Sequence, residues 1–194
     1  MKKIDIIHYH LKPGGVTKII QSQIESLNRN GGVEIRLLCG ECRDPETYTK
    51  MGVDLVCDEV FAYADFNEKN EDVIKENIKK AKEASQKYFE NDRIIHFHNL
   101  NLGKNPYWML AINELVSEGY SVVNHSHDFS EDRTENQNFI NRIVQKHAGL
   151  NAKHVMYPNA DNYQVATLTK HDYERVKQKG MSEKQIHYLP NPIG

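Results

Sequence analysis

The chain has 194 residues, 39% hydrophobic and 27% charged, and its 25 Lys and Arg against 27 Asp and Glu give a formal net charge of −2 and a pI near 6.6. That length suits one large domain with a substantial core, and the charge balance argues against nucleic acid or an anionic membrane as the main partner. No apolar run reaches the length of a bilayer span; three cysteines (Cys39, Cys42 and Cys57) and no secretion signal lead us to expect reduced thiols and a cytoplasmic protein.

In chain order, the apolar run Ile4 to Tyr9 reads as a buried strand. Val16, Ile19, Ile20, Ile24 and Leu27 follow helical spacing, and Asn28 to Gly32 ends that helix. Val33 to Leu38 is a second strand, Glu41 to Lys50 a polar connection, and Leu55 to Tyr63 a third strand. Asn70 to Phe89 is a charged helix with Val73, Ile78, Ala81, Ala84 and Phe89 facing inward. Arg93 to Phe97 is a fourth strand, and Pro106 to Ser117 a helix opened by proline. Tyr120 to Asn124 is a fifth strand, Ser126 to Glu135 a polar loop and Asn136 to Ala148 a helix. Lys153 to Tyr157 and Gln164 to Leu168 read as short strands. Lys170 to Lys179 is a helix ending at Gly180, and Ile186 to Leu189 a last strand. Strands alternating with helices imply an α/β fold, a parallel sheet with helices on both faces.

Cys39-Gly-Glu-Cys42 has redox or half-zinc spacing, but there is no second C-x-x-C, so these read as incidental loop cysteines. The histidines are more informative. Six of the ten form H-x-H pairs: His8 with His10, His96 with His98, and His125 with His127. Each pair falls at the C-terminal end of an expected strand, and residues two apart point to the same side. Ligands of open α/β sheets bind beyond those strand ends. The pairs could contact a polar substrate, ligate a metal, or, for His8, His96 and His125, simply be buried with their nitrogens satisfied by backbone. After the first strand, Lys12 and the glycine pair Gly14 and Gly15 precede a helix. Bare backbone N–H groups there favour a phosphate, although two glycines also serve simply to make a tight turn. The chain lacks G-x-G-x-x-G, which argues against a standard dinucleotide dehydrogenase.

Pro13-Gly14-Gly15-Val16, Asn124-His-Ser-His-Asp128, Val165-Ala-Thr-Leu-Thr169 and the closing run from Gly180 to Ile193, where Gly180-Met-Ser-Glu-Lys-Gln-Ile186 stands in the place of a G-x-x-x-x-K-I turn and is followed by an Asn-Pro pair, resemble the N-terminal half of a GT-B glycosyltransferase. The similarity is to family 4, the retaining, nucleotide-sugar-dependent enzymes. It implies a Rossmann-like acceptor-side domain over 1–190, with 191–194 beginning a linker to a C-terminal donor domain that is absent here. It further implies that Gly14, Gly15 and Val16 approach the donor diphosphate, that His127 contacts the transferred sugar as the catalytic histidine, and that Asp128 completes a His-Asp pair. His10, Lys12, His98, Asn99, Asp128 and Arg133 are then candidates for acceptor contact, from their places at strand ends or in the polar loop. Such enzymes are generally metal-independent, so no metal or other cofactor is expected. The partners implied are a nucleotide sugar, a carbohydrate or lipid-linked acceptor (with peripheral membrane contact in the lipid case) and the second domain. This chain alone is expected not to transfer sugar. Two readings compete: a metal-dependent hydrolase using the H-x-H pairs, and a non-catalytic sugar- or nucleotide-binding module.

Overall fold

The structure, a computed structural model, describes residues 1–191. Seven strands form one sheet: β1 (Lys2–His8), β2 (Val33–Cys39), β3 (Asp54–Cys57), β4 (Arg93–His98), β5 (Val122–Ser126), β6 (Tyr163–Thr167) and β7 (Ile186–Tyr188). Every neighbouring pair is parallel, in the order β3-β2-β1-β4-β5-β6-β7. The winding runs outward from β1 through β2 to β3, then restarts at β4 and runs the other way. The reversal between β1 and β4 is the topological switch point of a Rossmann-like sheet, where ligand crevices form.

Alternation along the strands separates two cores. Ile7, Leu38, Ile95, Phe97, Val122 and Val165 face α3 (Glu71–Tyr88), α4 (Pro106–Ser117) and the helical segments between β5 and β6. Ile6, Ile35, Leu37 and Cys39 face the opposite way, against Ile20 and Ile24 of α1 (Gly15–Asn30) and Tyr48 of α2 (Pro45–Lys50). On this second side the sheet changes character as it passes to β4 and β5: the residues there are His96, His98 and His125.

Five expectations are corrected. The polar connection before β3 contains α2, whose start is set by Pro45 and by the Asp44 carboxylate accepting from the Thr47 N–H at 3.3 Å. The third strand ends at Cys57, because Asp58 caps a tight turn over Glu59–Phe61, accepting from the Val60 N–H at 3.0 Å. In α3, Val73 is exposed and Ile74 is buried. One helical position is about 100°, and Ile74 continues the row of Ile78, Ala81 and Ser85 while Val73 falls outside it. The segment expected as a strand near 153–157 is a helix, α6 (Ala152–Met156), capped by Asn151 accepting from His154 N–H at 3.3 Å. Ala152, Val155 and Met156 are its buried residues, a helical spacing that the short apolar run disguised. Finally, β5 lies two residues later than expected, which places His125 inside the strand.

Between β5 and β6 the chain also forms α5 (Thr134–Ile140), a wider helical turn over Asn141–His147, and α7 (Lys170–Gln178) follows β6. Of the expected linker at 191–194, only Asn191 lies within the described residues. Among those residues no helix is long and apolar enough to cross a membrane.

Candidate active site at the sheet switch point

The C-terminal ends of β1, β4 and β5 stand side by side. His98 pairs in register with His125, and Ile7 with Phe97, which sets His8 beside His98. The rings form a contiguous array: His96 and His98 have centroids 4.7 Å apart, His98 and His125 4.8 Å, and His125 and His127 4.4 Å. His98 Nδ1 lies 2.9 Å from His127 Nε2, so one ring donates and the other accepts. Imidazoles from the ends of the first, fourth and fifth strands thus stand together.

Burial is not distributed as the pairs suggested. His8 and His125 are buried, as the plain reading had it, but so is His98, which is fully inaccessible, while His96 is only half-buried. Burial holds all these imidazoles below their ordinary range: His8 and His125 to about 3, His96 and His127 to about 4, and His98 well below it. For His127 the Asp128 carboxylate works the other way and burial outweighs it. At neutral pH the array is therefore uncharged, and each ring offers one lone pair and one N–H.

Asn99 links β4 to the loop after β5. It is buried in a left-handed conformation (φ 62, ψ 32), one that asparagine tolerates better than most residues. Its Oδ1 accepts from the backbone N–H groups of His127 at 2.7 Å and Asp128 at 3.1 Å, and its amide donates to Asp128 Oδ2 at 3.4 Å. Arg133 donates to Asp128 Oδ1 at 3.1 Å. Thus His98 and Asn99 stand behind His127 and Asp128 and position them, whereas His127, Asp128 and Arg133 reach the surface of the crevice.

On the β1 side, Lys12 pairs with Glu41 at 2.7 Å, both half-exposed. His10 Nδ1 accepts from the Lys12 N–H at 3.4 Å, and its Nε2 lies 3.2 Å from the Tyr63 hydroxyl. Gly14 occupies the N-cap of α1 with extended backbone (φ 173) and no side-chain cap, and the first intrahelical bond runs from Lys18 N–H to the Gly14 carbonyl. The N–H groups of Gly15, Val16 and Thr17 precede that bond. A Cβ at Gly14 would meet only the Lys12 carbonyl at 3.8 Å, and one at Gly15 would meet nothing within 4 Å. The fold itself has no steric need for either glycine. Gly40 is the contrast: a Cβ there would overlap the backbone of Ala62, so the glycine between Cys39 and Cys42 serves packing. Cys39 is buried beside Cys57, and burial pushes its thiol up.

Two contributors escaped sequence reasoning. Gln23 of α1 reaches across the sheet to His125 Nδ1 at 3.2 Å; its signal was a polar residue next to Ile24 on the inward stripe. Tyr63 comes from irregular chain and carried no signal. A separate groove of about 600 Å³ lies between the 58–64 segment and α3, sharing only Tyr63 with the histidine crevice.

No family model matches the chain. Along its whole length it is similar, at 29% identity over 211 aligned positions, to a mannosylglucosyl-3-phosphoglycerate synthase of Petrotoga mobilis, and it spans 37% of the length of that relative.

Proposed function

We propose that this chain is the acceptor-side lobe of a retaining GT-B glycosyltransferase that moves a sugar from a nucleotide-sugar donor to an acceptor hydroxyl. One observation carries the reading: His127 and Asp128 stand at the switch-point crevice, beside a helix whose leading glycines the fold does not need. A glycine pair without an internal reason leaves room for something outside the chain to approach the backbone. The similarity to a synthase whose name describes a glycosylated phosphoglycerate supports sugar transfer.

In this reading the Gly14, Gly15 and Val16 amides at the head of α1 stabilise charge on the departing diphosphate. His127 hydrogen-bonds the transferred sugar through Nδ1, its Nε2 being engaged by His98, and so fixes the ring as an oxocarbenium-like centre develops. The neutral state of His127 suits a group that orients without adding positive charge beside that centre. His10, Lys12, Asp128 and Arg133 meet the acceptor, with His98 and Asn99 acting through the residues they hold. The ion pairs Lys12–Glu41 and Arg133–Asp128 are solvent-screened, so an anionic acceptor can displace them at little cost. A phosphorylated carboxylic acid, free or glycosylated, is the acceptor class to try first. The donor base is held by a second domain, the transfer needs no metal, and this chain alone is inactive.

The test is transfer assayed with a panel of nucleotide sugars. A longer protein containing this chain should turn over, and the 194-residue chain should not. Robust transfer by the chain alone would refute the two-lobe reading.

A further inference from the structure

The rear of the histidine array has a property that sugar transfer does not use. One ring nitrogen from each of His96, His98 and His125 lies within 4.8 Å of the other two. The closest approach, His96 Nε2 to His125 Nδ1, is 3.3 Å, which matches the roughly 3.3 Å between two nitrogens bound tetrahedrally at about 2.0–2.1 Å from a zinc ion. His98 Nε2 is buried and has no hydrogen-bond partner among the described residues. Buried polar atoms are ordinarily paired, and each orphan costs the desolvation of that atom. Adjacent strands in fixed register hold the rings, so the cluster does not depend on a loop. Gln23 of α1 lies 3.2 Å from His125 Nδ1, the nitrogen that faces His96, and so lines the cluster from the helix side.

We propose that His96, His98 and His125 form a binding site for a late first-row divalent cation, zinc foremost. Neutral imidazoles with no carboxylate or carbonyl among them suit zinc, copper or nickel and exclude magnesium or calcium. Three protein ligands leave a fourth position for water. The ion fastens β4 to β5 directly behind His127, and its role is to hold the array, separate from the transfer chemistry.

The experiment uses the chain with Cys42→Ser and Cys57→Ser, which removes the two accessible thiols, stripped with chelator and titrated with zinc and with cobalt(II). The expected result is one ion per chain, the visible bands of four-coordinate cobalt, and a melting midpoint that rises with zinc. His96→Ala, which alters the half-exposed member and spares the buried rings, lowers affinity at least roughly a hundredfold. The proposal is overturned if no ion binds, or if His96→Ala and His125→Gln bind as the parent does, since the ion then sits elsewhere, at exposed histidines such as His154. Ion binding is read without sugar transfer, so this result and the failure of the functional reading are distinguishable.

Discussion

The two ends of the same strands solve the problem of buried polarity in opposite ways. At the N-terminal ends, Asp5 is fully buried, and its carboxylate accepts from Arg36 Nε at 3.0 Å and from Arg93 Nε at 2.6 Å; Arg93 reaches on to Glu34 at 2.5 Å. Arg36 also donates to the Tyr88 carbonyl. Every charge there has a partner. At the C-terminal ends the buried groups are neutral imidazoles, with ring nitrogens left unpaired. A closed network is a device for holding β1, β2 and β4 together, while an open one retains hydrogen-bonding and ligating capacity for something else.

Breaking the closed end should have the largest effect. Asp5→Ala takes the shared carboxylate from buried Arg93 and part-buried Arg36 and should cost about 3–5 kcal/mol of stability, read as a shifted denaturant midpoint. The same kind of truncation at the open end should spare the fold and remove function. His127→Ala, in the longer protein, should lower turnover roughly 10²–10³-fold, as loss of a preorganised hydrogen-bonding group does, with a smaller loss of stability of about 1–3 kcal/mol from the His98 Nδ1 it leaves unpaired. Acid sharpens the contrast. In chelator-treated protein the array is protonated less readily when folded than when unfolded, where histidine titrates near 6.5. The unfolded chain therefore binds more protons below that pH. Stability from the array is complete above about pH 6.5 and is lost as pH falls toward 4 and 3. The groups facing it are the other imidazoles and Asp128. His125→Asn should flatten that slope in a pH series of unfolding curves. The smallest effect on stability belongs to Gly15→Ala, a change within about 1 kcal/mol and stabilising in sign. It should weaken nucleoside diphosphate binding in the longer protein, and unaltered binding there would remove the glycine loop from the site.

Much of the fold was legible because hydrophobic period and punctuation agreed: Ile6 and Ile7 in β1, Ile20 and Ile24 in α1, and Pro106 opening α4. The misread strand at 153–157 was too short for its period to separate helix from strand, and the shift of Val73 against Ile74 needed the tertiary partner to decide it. That histidines from β1, β4 and β5 meet was readable, since period two and parallel strands bring the strand ends together; which of them pair, as His98 with His125, needed the register. The supporting geometry was not. Asn99 acts through a left-handed backbone and three contacts more than 25 residues away, and Gln23 reaches 102 residues along the chain. Such roles exist only once the sheet has formed.

The central claim is that His127 at the switch point serves sugar transfer. Its most direct test is the turnover of the longer protein and its His127→Ala variant with a nucleotide sugar and a phosphorylated acid acceptor. The account predicts transfer by the parent and a loss of roughly 10²-fold or more in a variant that is fully folded at the assay temperature. Turnover within about threefold of the parent would contradict it.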